Sequence, residues 1–342
     1  MPTHLDPDIY PDIDPDPTLS TTQVGDLFEV HPSTVKRWCE RGDLAFHRTH
    51  GGHRRIHLSE ALRRGPEGAV ARELAAFGPD AGSVWIAEQA ATTVRDFEPA
   101  RQLTEDWMRE REFQPIKDFL VYLGRNHPDT LPHLLDAVTR EVMQGVGQWW
   151  EEGRLGVGGE HLASETVTEA LFQLRRDLIP TTGDVPSGPA TPASGRVALV
   201  GCAEGERHAI GANAVRLLLE QRGWQVRFLG ADVPVDSWED LQKEYGAELV
   251  CISFSSLRAW SDVVRTVRRL AETYDPDRSY ALALGGGMVR APAGRARVED
   301  QGPIPDEENA KLPGATPFEA LRVFPGTVEF TDWLAAREQT KA

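Results

Sequence analysis

The C-terminal part of the chain, from residue 196, repeats one pattern: a short apolar run is followed by a helical stretch or a loop. Five such runs have the sequences RVALVG, QVRFLG, LVCISF, YALALG and ALRVF. Strands that alternate with helices form a parallel sheet covered on both faces, with right-handed connections. The pattern therefore predicts an α/β doubly wound, flavodoxin-like domain over residues 196–342.

The middle of the chain, residues 67–182, carries apolar residues at helical spacing and almost no strand pattern. Segments such as LPHLLDAVTREVMQGVGQWW and GEHLASETVTEALFQLRRDL are separated by Pro and Gly. We predict a four-helix bundle here. A run of Pro, Gly, Ser and Thr over residues 183–195 predicts a linker to the α/β domain.

The N-terminal pattern predicts a winged helix-turn-helix module over residues 18–66. Ser20 or Thr21 caps a first helix, and Ser33 caps a second helix that runs from Thr34 to Arg41. The run HRTHGGHRRI then predicts a hairpin with two glycines at its tip, the wing. In such modules the second helix enters the major groove of DNA. The predicted DNA-binding residues are Thr34, Lys36, Arg37, Arg41, His53, Arg54 and Arg55.

The alternative interpretation of this module is a small basic subdomain with a structural role. The pattern HPSTVKRWCERGDL followed by GGHRRI, however, resembles the N-terminal DNA-binding domain of MerR-type regulators over about 45 residues. The resemblance implies that double-stranded operator DNA is a partner.

Charge changes this picture in two places. The net charge of −16 argues against a protein that coats nucleic acid indiscriminately. Between Ser33 and Arg64, however, eight Lys or Arg stand against three acidic residues, so one module is basic. Residues 1–17 contain five Asp, no Lys or Arg, and many Pro, which predicts a disordered acidic tail.

Cysteine usage and hydropathy indicate a cytoplasmic protein. The three cysteines are widely spaced and form no CxxC pair, which favours small buried hydrophobic residues. No run of eighteen apolar residues predicts a membrane span, and the N-terminal residues lack the basic and apolar regions of a signal peptide.

Small and polar residues follow three of the predicted strands. Ligands of a doubly wound sheet dock at the carboxyl ends of its strands. After the first strand, in GERHAIG, Glu206 is placed to accept a hydrogen bond from one ring nitrogen of His208, as in metal-bound histidines. The alternative is a solvated histidine at the start of a helix. The candidate ligand-binding residues at these strand ends are Glu206, His208, Gly211, Ser253, Ser255, Gly285 and Gly286.

These residues resemble the cobalamin-binding domain family, whose pattern is an acidic residue, any residue, His, two residues and Gly, followed by a serine loop and a glycine pair. Glu206 stands where Asp is more usual. The resemblance implies that His208 is the lower axial ligand of the cobalt ion, and that the nucleotide tail of the cofactor enters a slot lined by the Ser and Gly residues.

The run QWWEEGRLGVGGEHLAS predicts one helix that ends at Glu152 and another that starts near Gly159. This places Trp150, Val157, Glu160 and His161 at one end of the bundle. In isolation, Trp150 is equally an ordinary core residue, and Glu160 a first-turn acid favoured by the helix dipole.

In this run a Trp is followed by nine residues and then by Glu-His. Next to a cobalamin-binding domain, this spacing resembles that of the light-sensing regulators called CarH or LitR. The resemblance implies that Trp150 packs on the adenosyl group of adenosylcobalamin and that Glu160 and His161 contact it; we group Val157 and Glu151 with these cofactor-binding residues. Glu151 departs from the family, in which a histidine here binds cobalt after illumination. Three alternatives stay open for this chain: the carboxylate of Glu151 binds cobalt after illumination, a water molecule takes that position, or the light response is weak.

The resemblance implies a transcriptional repressor rather than an enzyme. In this family the adenosylated chain is a homotetramer on DNA in the dark and dissociates in light, and linked binding raises avidity by about 10²–10⁴-fold. Two alternatives are a cobalamin-sensing regulator that does not respond to light and a corrinoid methyl-carrier protein.

Overall fold

The computed structural model describes residues 16–65, 68–179, 195–254, 260–287 and 317–341. The chain divides into two compact units, residues 1–170 and 171–342. Ser255 and almost all of the predicted tail and linker lie outside the described residues. No helix within the described residues is long and apolar enough to cross a membrane.

The first unit begins with a three-stranded antiparallel sheet and three short helices. In chain order these are β1 (Thr18–Ser20), α1 (Thr21–Leu27), α2 (Pro32–Arg41), β2 (His47–Arg48), β3 (Arg54–His57) and α3 (Leu58–Arg63). Strand β3 lies between β1 and β2. Ser20 caps α1 through a capping box: its hydroxyl accepts from Gln23 N at 3.2 Å, and Gln23 Oε1 accepts from Ser20 N at 2.9 Å.

The start of α2 differs from the prediction. His31, not Ser33, caps this helix, because its ring Nδ1 lies 3.2 Å from Ser33 N and accepts its hydrogen bond. The helix begins at Pro32, whose fixed φ suits the first helical position. The second helix therefore starts two residues earlier than the hydroxyl pattern indicated.

The hairpin predicted as a wing is present. Strands β2 and β3 pair in antiparallel register, with Arg48 opposite Arg54. Gly52 at the tip has φ of +80°, a conformation that L side chains rarely adopt. Buried Ile56 of β3 and Val35 of α2 place the apolar faces of this hairpin and helix in the interior of the module.

The rest of the first unit is helical. Its helices are α4 (Ala69–Ala76), α5 (Ala81–Thr93), α6 (Glu98–Glu110), α7 (Phe113–Asn126), α8 (Leu131–Leu134), α9 (Arg140–Glu151) and most of α10 (Val157–Leu178). A π-helical turn, Leu135–Thr139, joins α8 to α9. The helical character of this region is confirmed, whereas its arrangement as a four-helix bundle stays a prediction.

The second unit is a parallel sheet with helices on both faces. Its elements are β4 (Val197–Cys202), α11 (Ile210–Gln221), β5 (Gln225–Gly230), α12 (Val235–Tyr245), β6 (Leu249–Ser253), α13 (Trp260–Thr273), β7 (Ala281–Gly285), β8 (Ala320–Phe324) and α14 (Thr327–Lys341). All five predicted strands are present, and their pairings are parallel.

The strand order, β5-β4-β6-β7-β8, places the site. The chain first moves from β4 to one neighbour and later adds strands on the other side, so the order reverses between β4 and β6. One apolar cluster joins Leu199 and Val250 to Val267 of α13, and a second joins Val200 and Cys251 to Leu219 of α11. Both faces are therefore covered, and the ligand edge lies at the carboxyl ends of β4 and β6.

Candidate functional site

Backbone hydrogen bonds tie the carboxyl ends of three strands into one row. Ala203 N, directly after β4, donates to Ser253 O at 3.0 Å, and Phe254 N, directly after β6, donates to Gly285 O at 2.9 Å. Ser253 and Gly285 face each other in the register of β6 and β7. The structure thus brings together the three strand ends that carry the predicted binding residues.

His208 stands on the loop between β4 and α11 and is held by a buried carboxylate. Glu206 is 1% exposed, and its Oε1 accepts from His208 N at 2.7 Å and lies 3.0 Å from His208 Nδ1. When Nδ1–H donates to this carboxylate, the lone pair of the neutral imidazole is on Nε2. The side chain of His208 is 53% exposed, so a ligand can approach Nε2.

Asp232 closes this loop, and sequence reasoning missed it. Gly205 has φ of +74°, and its N donates to Asp232 Oδ1 at 2.6 Å. Asp232 N in turn donates to Glu206 O at 2.8 Å. The only signal in the sequence is an acidic residue just after β5, and nothing local shows that it reaches back across 27 residues.

Two of the predicted glycines, Gly211 and Gly286, lie where a Cβ would crowd neighbouring atoms. A Cβ on Gly211 would come within 3.1 Å of Ser253 Oγ, so the first turn of α11 lies directly against the end of β6. Gly286 has φ of +110°, and a Cβ there would lie 2.2 Å from the carbonyl oxygen of Phe254. The strand ends therefore combine an accessible imidazole, held by a buried carboxylate, with glycines that let the neighbouring segments pack closely, and such an imidazole fits the axial ligand of a cobalamin.

Cys202 lies close to this loop but is a poor candidate ligand. Its Sγ is 3.7 Å from His208 O. Burial and the nearby charge of Glu206 raise the pKa of the Cys202 thiol to about 12. Thiolate, not thiol, binds metals, so the imidazole is the available ligand atom of this loop. Among the described residues, no group of three or more His, Cys, Asp or Glu is placed to hold a bare metal ion.

The residues predicted to contact the adenosyl group lie at the adjoining ends of α9 and α10. Trp150 is 48% exposed and Val157 is 58% exposed, so neither is a core residue of the first unit. Glu160 Oε1 accepts from Ser164 Oγ at 2.8 Å, and its other oxygen lies 3.5 Å from His161 Nε2. Glu151, the departure from the family, is also exposed.

The turn between these helices is tighter than predicted. The amides of Arg154 and Leu155 both donate to Trp149 O, at 2.8 and 3.0 Å, after Gly153 with φ of +69°. Leu155 is 5% exposed, and it therefore anchors the turn. As a result α9 ends at Glu151 and α10 already begins at Val157, rather than near Gly159.

The predicted DNA-binding residues fall into two groups. Arg54 is only 18% exposed, pairs with Glu40 at 2.9 Å and lies over the ring of Phe46 at 5.5 Å, so it fastens β3 to the rest of the module. The others remain accessible: Lys36, Arg37, Arg41 and His53 are exposed, and Thr34 and Arg55 are half-buried.

Arg48 belongs with the accessible residues, although the sequence pattern did not single it out. It is exposed on β2, and its Nη1 donates to Gly52 O at 2.9 Å, which fixes the wing tip. We call Lys36, Arg37, Arg41, Arg48 and Arg55 the cationic face. No carboxylate of the described residues forms an ion pair with any of them.

Two family models match separate parts of the chain. Residues 196–307 match the family described as B12 binding domain, and residues 18–60 match the family described as helix-turn-helix domain. The chain joins a helix-turn-helix domain to a B12-binding domain. This domain content confirms the resemblance to CarH-type cobalamin-binding transcriptional regulators.

Two curated relatives represent the two classes that the sequence suggested. The HTH-type transcriptional repressor CarA of Myxococcus xanthus is 33% identical over 133 residues, which are 39% of this chain and 41% of CarA. Dimethylamine corrinoid protein 2 of Methanosarcina mazei is 29% identical over 171 residues, 49% of this chain and 72% of that protein. Among solved structures, the monomethylamine corrinoid protein of Methanosarcina barkeri overlaps with a TM-score of 0.40 at 19% identity, over 66% of this chain and 97% of that one.

Proposed function

We propose that this protein is a transcriptional repressor that binds adenosylcobalamin and releases operator DNA in response to light. The observation that carries the proposal is the His208–Glu206 pair at the ligand edge of a chain that also contains a DNA-reading module. A methyl carrier needs the first feature but has no use for the second. The likeness to the repressor CarA supports the same choice.

The residues of this chain have distinct roles in the proposal. His208 would bind cobalt through Nε2, and Glu206 would fix the orientation and tautomer of the ring. Ser253, Gly211, Gly285 and Gly286, with Ser255 beyond the described residues, would line the slot for the nucleotide tail.

At the ends of α9 and α10, exposed aromatic and polar groups would receive the adenosyl group. Trp150 and Val157 would provide apolar contact, and Glu160 and His161 hydrogen bonds. When bound, adenosylcobalamin supplies a cobalt–carbon bond that light breaks. Trp150 and Val157 would then lose the partner that covers them, and we propose that this change separates the dark tetramer.

The test uses the full chain loaded with adenosylcobalamin. Gel filtration and DNA-binding titrations are run in the dark and after illumination, and we expect a larger, DNA-bound species only in the dark. Protein loaded with hydroxocobalamin, which has no adenosyl group, is the control and should behave as the illuminated form without light. Identical elution before and after illumination, with the cofactor bound, would contradict the light response.

A light-independent cobalamin sensor is distinguished by the same experiment. Such a sensor would change its assembly on adding cobalamin but not on illumination. Glu151 makes this comparison informative, since the family member has histidine there. The variant Glu151→His should not alter dark assembly, and a light response that appears only in this variant would favour the light-independent sensor for the natural chain.

A corrinoid methyl carrier is the second candidate, favoured by the 171-residue match to a dimethylamine corrinoid protein. This class predicts that the methylcobalamin-loaded chain gives up its methyl group to a thiol acceptor when a corrinoid methyltransferase is added. Transfer at a rate comparable with that of a known carrier, together with no binding to duplex DNA, would replace the proposed function.

A further inference from the structure

We infer that the acidic residues 1–14 compete with DNA phosphates for the cationic face of the helix-turn-helix module. The inference rests on the proposed DNA binding of this module and adds a second, intramolecular occupant of the same surface. This second occupant is a segment rich in carboxylates, with four Asp between residues 6 and 14 and no Lys or Arg.

The cationic face lacks anionic partners in the described part of the molecule. Arg54 is neutralised by Glu40, and Arg63 pairs with Glu60, whereas no described carboxylate forms an ion pair with Lys36 or with the four arginines of this face. Five unpaired cations on one small module attract any nearby polyanion. In an otherwise acidic chain, the anionic segment closest in sequence is residues 1–14.

The structure fixes where this segment enters the module. Asp16 lies at the start of α3: its Oδ1 accepts from Ser59 N at 2.8 Å and its Oδ2 from Ser59 Oγ at 2.6 Å. The same carboxylate is 3.5 Å from His57 Nδ1. His57 and Arg55 are alternate residues of β3 and therefore point to the same face of the hairpin, opposite to buried Ile56. Residues 1–14 are therefore joined, through residues 15 and 16, to a point near Arg55, a member of the cationic face.

The length and composition of the segment allow it to cover the other members. Fourteen residues span up to about 50 Å when extended, more than the width of a module of this size. Tethering gives the carboxylates an effective local concentration of the order of millimolar, so they compete with DNA without high intrinsic affinity.

The first experiment removes the charges and keeps the length. Binding of the full chain to a fluorescein-labelled mixed-sequence duplex of about 30 base pairs is measured by anisotropy, from about 0.05 to 0.2 M salt. The test variant carries Asp6→Asn, Asp8→Asn, Asp12→Asn and Asp14→Asn. Asp16 stays unchanged, because it caps α3.

A matched variant controls for net charge. It carries the same number of neutralisations at exposed acids of the second unit, namely Asp240→Asn, Glu244→Gln, Glu329→Gln and Asp332→Asn. Both variants have the same formal charge. Only the first removes charge from the segment that enters beside Arg55.

We expect the test variant to bind the duplex more tightly at the lowest salt. An exposed ion pair changes an equilibrium by about twofold, so four together give an increase of the order of tenfold. The gain should shrink as salt rises, because salt screens the segment as well as the duplex. An unchanged affinity at low salt, or an equal gain in the matched control, would overturn the inference.

A second measurement needs no DNA and separates this inference from the proposed function. Lys36 is the only lysine between residues 18 and 65, so a carbodiimide can join its Nζ to an Asp of residues 1–14 without a spacer. We expect a cross-linked peptide that joins these regions, disappears in the Asp→Asn variant and decreases when duplex is added. Absence of this peptide in the natural chain would refute the intramolecular contact, even if the chain binds duplex DNA. Failure of every variant to bind duplex, with the cross-link present, would instead refute the DNA-binding function.

Discussion

Replacing Trp150 by alanine tests whether this residue contacts the ligand or belongs to the hydrophobic core. Trp107 of α6 is the matched control in the same unit. It is fully buried, its Nε1 donates to Asp80 Oδ2 at 2.9 Å, and its ring stacks on Phe77 at 6.3 Å. Trp150, by contrast, is 48% exposed, and no aromatic contact of its ring occurs among the described residues.

The different surroundings of Trp107 and Trp150 predict different losses of unfolding free energy on replacement by alanine. Truncation of a buried Trp costs about 3–5 kcal/mol, and loss of the Trp107 hydrogen bond leaves the carboxylate of Asp80 without that donor. For Trp150 we expect a change in unfolding free energy below about 1 kcal/mol, because surface substitutions have small effects. Alanine also gains about 0.5 kcal/mol of helix propensity over Trp, which offsets part of the lost contact.

The assay compares urea denaturation of the cofactor-free chain with that of the chain loaded in the dark. A ligand at one hundred times its dissociation constant stabilises the folded state by about 2.7 kcal/mol, and a tenfold weaker affinity removes about 1.4 kcal/mol of this. We expect Trp150→Ala to melt normally without adenosylcobalamin and to lose this stabilisation and the dark assembly with it. If it destabilises the cofactor-free chain as much as Trp107→Ala does, Trp150 is a core residue and the proposed contact is wrong.

Four further predictions concern the ligand edge and the DNA reader. His208→Ala should weaken cobalamin binding and abolish the visible spectrum of the form in which the cofactor's own base is displaced and histidine binds cobalt, and an unchanged spectrum would exclude this ligand. Glu206→Gln keeps the shape of the side chain but removes its charge, so calorimetry should show at least about tenfold weaker cobalamin binding. Unchanged affinity would show that the carboxylate does not orient the His208 ring for binding. Arg55→Ala should reduce the log–log salt slope of duplex binding by about 0.9, whereas Arg54→Ala should lower the urea midpoint instead; a salt slope equal to that of the natural chain would remove Arg55 from the interface. Because burial raises the pKa of Cys202 to about 12, its thiol ionises first in the unfolded chain, so this residue should contribute a fall in stability of the order of 1 kcal/mol per pH unit above pH 9, beside the contributions of the other buried thiol and phenol groups. Cys202→Ala should flatten that slope in urea midpoints, and identical slopes would contradict the burial argument.

Local pattern was sufficient for the secondary structure of the second unit. The runs of the three central strands, β4, β6 and β7, are apolar throughout because a strand buried on both faces needs consecutive apolar residues, which is a property of the segment itself. The edge strands β5 and β8 are only partly buried and were recognised from their place in the alternation of strands and helices. The capping box of Ser20 and Gln23 follows for the same reason, since its partners are three residues apart. The cap of α2 was predicted wrongly because Ser33 and His31 both offer acceptors within one turn, and only the packed backbone selects between them.

The amino-acid sequence by itself determined the domain content, the five strands and the types of residue at their carboxyl ends. The tertiary structure alone decided which of these residues meet. It joined Gly205 to Asp232 across 27 residues, and it committed Arg54 to Glu40 across 14. It also set the strand order that places Ala203 and Gly211, on either side of the His208 loop, against Ser253, and it buried Glu206 against the Nδ1 side of the ring. The physical reason is that periodicity reports only which face of a segment avoids water. Contacts between distant segments depend on how whole elements pack, and no single segment contains that information.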